Sequence, residues 1–560
     1  MLSNLTRQNL NELVQFARKL AAEHVTGLRF RGCFSVTRQF SADLRRLNQI
    51  FQRYRTAIAQ KRTLPPACEW LVDNMYLINE QAQFIKKNLP WRYCQKLPTL
   101  IEGPDKGQKR IYALIYRLLE YTGGQCDLET LKGFLWEYQT AQPLTMAELW
   151  VVPLVFRMAI IHKLRALFEL VDKDVVPEKQ ANIIGKHITP LLKDISNTLQ
   201  RTIRIMEQRL DLSNPTVLVY LAKYLREYVE SSALHRWLEA RTAMHNLSLI
   251  QLIEEEQQRQ SEHRVSAGQL ITSLRQISQT IWEPHFEELS WVELTLRRDP
   301  AGVYPKMTFA SRDILRHKLE KLAERWRMSE LLIAEQVIKL AENAPGENKG
   351  DNVKKHVGYY LMDEGCRLLP GALGIRKSAC CGLREKLSRF PKTVYFTTMA
   401  VLTNFFMYAT LRYMLAGLPG EFWWIIPLAV PALLVLAGEW AIRHFHYILT
   451  ITFPPQQLLK MDFRKGVPKE YSTMVVIPTI INSLESVESL AHKLEIYYLA
   501  NQDPNIYFGL LTDFADADQA VLAGEDELLK AATERINELN RRYCTPEDTT
   551  RFFLFHRKRL

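Results

Sequence analysis

Two long uncharged stretches lying close together, Val394 to Thr410 and Phe422 to Gly438, limit what this chain can fold into more than any other feature. Each holds 17 residues without a charge, and each can be lengthened by a turn where Arg412 and Glu439 reach toward an interface. At about 1.5 Å of rise per residue, some 20 residues cover a hydrocarbon core of roughly 30 Å. Only Leu418-Pro419-Gly420-Glu421 and its neighbours separate the two stretches, so the expectation is an antiparallel membrane hairpin at about 394–416 and 422–440. The alternative is a helical pair buried in a soluble domain. The flanking charges favour the hairpin. Arg376, Lys377, Arg384, Lys386, Arg389 and Lys392 precede it and Arg443, Lys460, Arg464 and Lys465 follow it, while the connection has no Lys or Arg beyond Arg412. Both flanks are therefore expected on the cytoplasmic side, with Trp423 and Trp424 at the opposite interface.

The remainder cannot lie in lipid, because 24% of the 560 residues are charged. A chain this long exceeds one hydrophobic core, and three or four folded parts are expected. The net charge of +12 is spread along the chain, without zinc-finger spacing or an RNA-binding aromatic motif, so no nucleic-acid partner is expected. The same bias suits an anionic inner leaflet or an anionic nucleotide sugar. Cys33, Cys68, Cys94, Cys126, Cys366, Cys380, Cys381 and Cys544 form no C-x-x-C pair, which reads as structural thiols in a reducing compartment. The first residues run into an amphipathic pattern without an apolar core or a cleavage site, so no signal peptide is expected and the N-terminus is placed in the cytoplasm.

From Leu5 to about Ala341 apolar residues recur at helical spacing, as in Leu47, Ile50, Phe51, Tyr54 and Ile58. Thr145 and Glu148 form a capping box ahead of Leu149-Trp150-Val151-Val152, and Ser213-Asn214-Pro215 marks another helix start. Turns are expected at Thr63–Pro66, Glu102–Gly107, Thr122–Gly124 and Asp299–Gly302, and a linker at Asn343–Asn352. This divides the chain into a helical cytoplasmic domain at 1–342, a linker with a basic membrane-proximal segment at 343–393, the two membrane helices within 394–440, and a cytoplasmic connector at 441–472.

After the connector the period changes. Thr473 to Ile477 is a strand ended by Pro478, Leu484 to Leu499 is amphipathic, and Ile506 to Leu511 is a strand ending at Asp513. Asp526 to Leu539 is helical and Arg551 to Phe555 is apolar again. This is β-α-β-α-β, the opening of a parallel-sheet α/β domain at 473–560, so the fold class is mainly α with a C-terminal α/β part. Ligands of such sheets gather at the carboxyl ends of the strands, where Pro478, Thr479 and Asp513 are the candidate substrate-binding residues; an ordinary strand-ending turn is the other reading of Asp513. Asp516-Ala517-Asp518 has the D-x-D spacing of a divalent-cation site but comes too early in the domain for one. Glu283, Glu287, Glu288 and Glu293 read as a solvated helix face rather than glycosidase carboxylates, and His444 and His446 as interfacial side chains rather than metal ligands. No P-loop, G-x-G-x-x-G, G-x-S-x-G or H-E-x-x-H occurs, and no catalytic residue is assigned.

Several ordered segments resemble the cyclic β-1,2-glucan synthases: Glu69-Trp70-Leu71-Val72-Asp73-Asn74, Leu97-Pro98, Arg110-Ile111-Tyr112-Ala113-Leu114, Gln142 to Trp150, and Asp299-Pro300-Ala301-Gly302-Val303-Tyr304. The likeness continues in Val476-Ile477-Pro478-Thr479, Tyr498 to Asn505, Leu511 to Ala517, and Phe552-Phe553-Leu554-Phe555-His556-Arg557. The resemblance implies a multi-pass enzyme of the bacterial inner membrane that polymerises glucose from UDP-glucose, with a glycosyltransferase domain of nucleotide-sugar (GT-A-like) type. It implies that Pro478, Thr479 and Asp513 belong to a UDP-sugar pocket. It places the Mg or Mn site of that domain on a later strand, so no cofactor is expected within these residues. Leu554-Phe555-His556 reads as a core strand, and a sheet stopping there would be half built. The expectation is the N-terminal portion of a synthase, catalytically incomplete by itself, the alternative being a non-catalytic membrane scaffold with a degenerate nucleotide-sugar remnant. No oligomeric state follows from the pattern.

Overall fold

The computed structural model describes residues 7–27, 36–60, 64–89, 91–188, 203–204, 206–208, 215–225, 232–242, 248–344, 351–375, 391–417, 424–452, 458–519, 522–544 and 550–557. Its contacts divide the chain into two units, Met1–Arg298 with Leu319–Lys339, and Asp299–Lys318 with Leu340–Leu560.

The first unit is helical. It includes α1 (Arg7–Glu23), α2 (Val36–Ala59), α3 (Ala67–Asn88), α4 (Arg110–Tyr121), α5 (Leu128–Ala141), α6 (Met146–Ile188) and α7 (Leu249–Gln279), with a two-residue antiparallel pairing of Thr26–Gly27 and Thr99–Leu100. The helical period read on α2 is the packing period: Leu47, Ile50 and Tyr54 are buried, and Ile58, in the last turn, is exposed. Helix α6 packs against α2, α3, α4 and α7, and its first turn is tied twice. The Glu148 amide donates to Thr145 Oγ1 at 3.2 Å and the Thr145 amide to Glu148 Oε2 at 3.0 Å, which is the expected capping box. The Met146 amide donates to Glu330 Oε2 at 2.8 Å, so a second carboxylate takes an amide that the helix itself leaves unpaired.

Glu148 also receives Arg110, with Nε donating at 2.8 Å and Nη2 completing a bidentate pair in which both side chains are almost wholly buried. Arg110 also donates to the Pro143 carbonyl at 3.2 Å. Two of the segments that carry the family resemblance therefore meet in one buried ion pair. Of the expected turns, Gly124 adopts φ +92°, and a Cβ there would lie 2.8 Å from Leu270, so both conformation and space call for glycine. Pro215 opens the helix Pro215–Leu225, and the Ser213 and Asn214 caps lie outside the described residues.

The four glutamates read as a solvated face divide instead. Glu287 and Glu293 are buried and share Arg297, which donates to them at 2.7 and 2.9 Å, whereas Glu283 is exposed and exposed Glu288 pairs with Lys132. Arg297, four and ten residues away, supplies the charge that lets two of these carboxylates leave water.

In the second unit Asp299 is a hub. Its wholly buried carboxylate accepts the amides of Val303, Tyr304 and Val357 and the His356 ring Nδ1, each at 3.0 Å. Burial alone would raise this carboxyl, yet His356 and the backbone amides hold it below the usual carboxylate range. Helices α8 (Pro391–Gly417) and α9 (Ile425–Thr452) pack against each other and are long and apolar enough to cross a membrane. Their large side chains, among them Phe396, Val401, Leu428 and Val435, face outward, so the pair is not a buried core of this chain. Ala437 and Ala441 are buried, and small residues one turn apart allow close helix approach. Helix α9 runs on to Thr452 and carries Glu439, Arg443, His444 and His446 within it, farther than the uncharged stretch predicts. The connection between the helices, Trp423, and the basic residues 376–389 lie outside the described residues.

The chain then forms β1 (Thr473–Ile481), α10 (Leu484–Ala500), β2 (Ile506–Phe514), α11 (Glu525–Tyr543) and β3 (Phe552–His556), a parallel sheet in the order β1-β2-β3. The alternation is the expected one, but β1 passes through Pro478 rather than ending at it. Among the described strands β1 pairs only with β2, and an edge strand tolerates a residue without an N–H. Ala491 and Leu494 of α10 and Ile536 and Leu539 of α11 pack on Phe508, Leu510 and Phe552, so both helices cover the same face of the sheet. Asp503 braces the opposite end, accepting the amides of Val467 at 2.7 Å and Asn505 at 2.8 Å.

Candidate functional site

The carboxyl ends of the three strands bring the candidates together. Pro478 lies opposite Leu511, Thr479 opposite Thr512, Ile480 opposite Asp513, and Thr512 opposite His556. Neighbours in a parallel register share a face, and successive residues alternate. Pro478, Ile480, Leu511, Asp513 and Phe555 therefore share the face that no described helix covers, while Thr479, Thr512 and His556 belong to the helix-covered face. Thr479 and Asp513, paired in the sequence reading, lie on opposite faces.

Two side-chain pairs tie β2 to β3 at this end. Thr512 Oγ1 and His556 Nδ1 are 3.0 Å apart, and the Arg557 amide donates to the Thr512 carbonyl at 3.0 Å, prolonging the ladder past the last strand residue. On the open face the Arg557 guanidinium forms an ion pair with Asp513. Asp513 is partly exposed and Arg557 74% exposed, and the Phe514 amide donates to Asp513 Oδ1 at 3.0 Å. Arg557 holds the Asp513 carboxyl below the usual carboxylate range, which keeps it an acceptor at neutral pH. His556 and Arg557 enter the sequence reading within a resembling segment, without a role assigned to either. The available signal is their place at the end of an apolar strand run, where a parallel register sets them beside Thr512 and Asp513.

The open face is apolar below these groups. Val476, Ile480, Leu511 and Phe555 are all more than a third exposed, although parallel sheets are usually covered on both faces. Phe555 lies over Gly509, where an added Cβ would meet its ring at 3.3 Å.

The described carboxylates at this end of the sheet are not gathered around one point. Asp513 is paired with Arg557, Asp516 and Asp518 are exposed in the segment after β2, and no group of three or more His, Cys, Asp or Glu gathers among the described residues. In α9, His446 Nε2 meets the Tyr395 hydroxyl at 2.8 Å and His444 Nδ1 the Trp440 carbonyl at 2.8 Å, so the two rings have separate partners. Among the described cysteines, Cys68, Cys94, Cys126, Cys366 and Cys544 are free thiols, and burial pushes the Cys126 thiol far up.

Fold and site define an α/β sheet with polar ligand groups at its strand ends, in a chain that also carries a helical unit and two helices of membrane-crossing length. No protein-family model matches the chain. It is similar to the cyclic beta-(1,2)-glucan synthase NdvB of Rhizobium meliloti (strain 1021), with 28% identity over an alignment of 522 residues that covers 91% of this chain and 18% of that protein. The resemblance to the cyclic β-1,2-glucan synthases read from the motifs is thereby borne out, and the chain spans less than a fifth of that relative's length.

Proposed function

We propose that this chain is the membrane-anchored, donor-binding part of a synthase that polymerises glucose from UDP-glucose into cyclic β-1,2-glucan. The observation that carries the reading is the gathering of Asp513, Arg557 and Pro478 on one face at the carboxyl ends of a parallel sheet, in a chain similar to a glucan synthase over 91% of its length. The sheet is then the opening of a GT-A-like domain. Asp513 faces the base, Pro478 closes the pocket from the neighbouring strand, and Thr479, whose side chain belongs to the helix-covered face, contributes its main chain. These groups bind. In this reading the acceptor chemistry is assigned to other parts of the synthase. In this reading helices α8 and α9 cross the inner membrane of a bacterium, and the basic residues on both flanks support a cytoplasmic side for what precedes and follows them, where UDP-glucose is available.

Photolabelling with 5-azido-UDP-glucose tests this reading. Membranes carrying the 560-residue chain should incorporate label into the peptides between Thr473 and Arg557, with protection by UDP-glucose and loss in Asp513→Ala. Label confined to the helical unit, or unprotected by UDP-glucose, would refute it. Purified chain should transfer no glucose, and robust transfer would overturn the division between binding and catalysis.

A further inference from the structure

In the helical unit the end of α1 and the turn that follows Thr99–Leu100 enclose a cleft of about 220 Å³. Its walls are pinned together, because Thr26 and Gly27 pair with Leu100 and Thr99 and the Ile101 amide donates to the Val25 carbonyl at 3.0 Å. His24, which lines the cleft, is only 5% exposed, and its main chain is held by the Leu20 carbonyl at 3.0 Å and by Gln142 Nε2 at 2.6 Å. Ring Nδ1 meets the Tyr138 hydroxyl of α5 at 2.9 Å. Arg110, which has donors and no acceptor, faces the same hydroxyl, so the oxygen's lone pairs turn toward the guanidinium and its proton toward His24. Burial holds the imidazole below its ordinary pKa and so keeps it neutral at pH 7. A neutral ring that accepts at Nδ1 carries its proton on Nε2. Nε2 has no hydrogen-bond partner among the described residues, so a fixed N–H is left for whatever enters the cleft.

The charges around the cleft are already matched. Arg117 holds Asp105 through two donors at 2.9 and 3.2 Å, and Lys19 lies 4.0 Å from Glu23. Glu102 adds one further carboxylate, so the lining is nearly balanced and favours neither a phosphate nor a free metal ion. What it offers is a mixture: carboxylate acceptors, imidazole and guanidinium donors, and apolar surface from Phe16 and Leu20. We propose that this cleft binds the ring of a neutral pyranose sugar. Each hydroxyl of such a ring both donates and accepts, which suits walls carrying both kinds of partner, and its C–H face suits the apolar surface. Size points the same way. Pockets for drug-sized ligands occupy roughly 300–1,000 Å³, so this smaller cleft admits one sugar ring and not a nucleotide sugar. The site belongs to the helical unit and is separate from the nucleotide reading of the sheet, so either can fail without the other.

Saturation-transfer NMR with D-glucose on the full 560-residue chain in lipid nanodiscs tests this, for wild type, His24→Gln, His24→Leu and the double variant Glu23→Ala with Glu102→Ala. Wild type should give a saturable signal that neither UDP nor inorganic phosphate displaces. His24→Leu should weaken glucose about fivefold or more, the scale of one hydrogen bond. His24→Gln, whose amide can place an N–H near the same point, should stay within about twofold of wild type. Because His24→Leu removes the partner of the buried Tyr138 hydroxyl and can unfold the unit, the double variant provides the second reading; its two residues are exposed, and it should also weaken glucose about fivefold. No saturable signal from folded wild type would overturn the proposal, as would unchanged affinity in the double variant or in a folded His24→Leu. Displacement by UDP would place the sugar at the sheet instead, and displacement by phosphate would make the cleft an anion site; both refute it. A His24→Gln as weak as a folded His24→Leu would overturn the donor role given to Nε2.

Discussion

Glu330 should make the helical unit less stable as pH rises from the ordinary carboxylate range toward neutrality. It is the first residue of the helix Glu330–Glu342, and it accepts the Met146 amide at the start of α6 at 2.8 Å. Burial, together with repulsion from Glu320, Glu148 and Glu324, raises its carboxyl from 4.5 to about 7, against the opposing pull of the Met146 amide. An acid whose folded-state pKa is raised binds more protons folded than unfolded, so its stabilising protonated form is lost as pH climbs from about 4.5 to about 7. At about 1.4 kcal/mol per pH unit the gap is worth about 3 kcal/mol, and because part of the residue reaches solvent, about 1–3 kcal/mol is the working range. Glu330→Gln keeps an acceptor for the Met146 amide and removes the charge. Thermal unfolding in nanodiscs should show the variant several degrees more stable than wild type at pH 8, with the difference vanishing below about pH 4. Other groups titrate as well, so the quantity to read is the difference between the two proteins. A variant less stable than wild type at pH 8 would refute the reasoning, because it would mean that the ionised carboxylate at the α6 N-terminus outweighs its burial.

Breaking the Arg110–Glu148 pair from one side, as in Arg110→Met, should cost about 3–5 kcal/mol, and adding Glu148→Gln, which removes the unpaired charge but keeps an acceptor for the Thr145 amide, should recover much of it; calorimetry on the three variants checks this, and additive losses would contradict it. Asp299→Ala strips the acceptor from three amides and a ring, with an expected loss of about 3 kcal/mol or more and faster hydrogen exchange at Val303, Tyr304 and Val357; unchanged exchange would show that the hub is dispensable. Because its carboxyl is held low in the fold, the Asp299 contribution is present above the ordinary carboxylate range and lost on acidification through the folded value, so Asp299→Ala should remove part of the wild-type acid sensitivity.

The elements that sequence showed best are those whose pattern is local. Helical spacing located α2, the Thr145–Glu148 box located the start of α6, and alternating runs located β1, α10, β2, α11 and β3 within a few residues. Pro478 was read as a terminator because a proline cannot serve a central strand, and only the strand order reveals that β1 is at an edge. The burial of Glu287 and Glu293 was hidden for a related reason: a run of glutamates looks solvated until Arg297 folds back on it. At the site, Asp513 was legible as a strand-end carboxylate. Its partner Arg557 was not, because 44 residues separate them and their meeting depends on the β2–β3 register. Thr479 shows the same limit, since nearness in sequence to Pro478 does not put its side chain on the same face.

The most direct test of the central claim is equilibrium binding of UDP to the 560-residue chain in nanodiscs, with Asp513→Ala measured alongside. The account predicts saturable binding by wild type that is lost or weakened at least tenfold in Asp513→Ala, with the secondary structure of the two proteins unchanged. No saturable binding by a folded wild type, or equal affinity in both proteins, would contradict it.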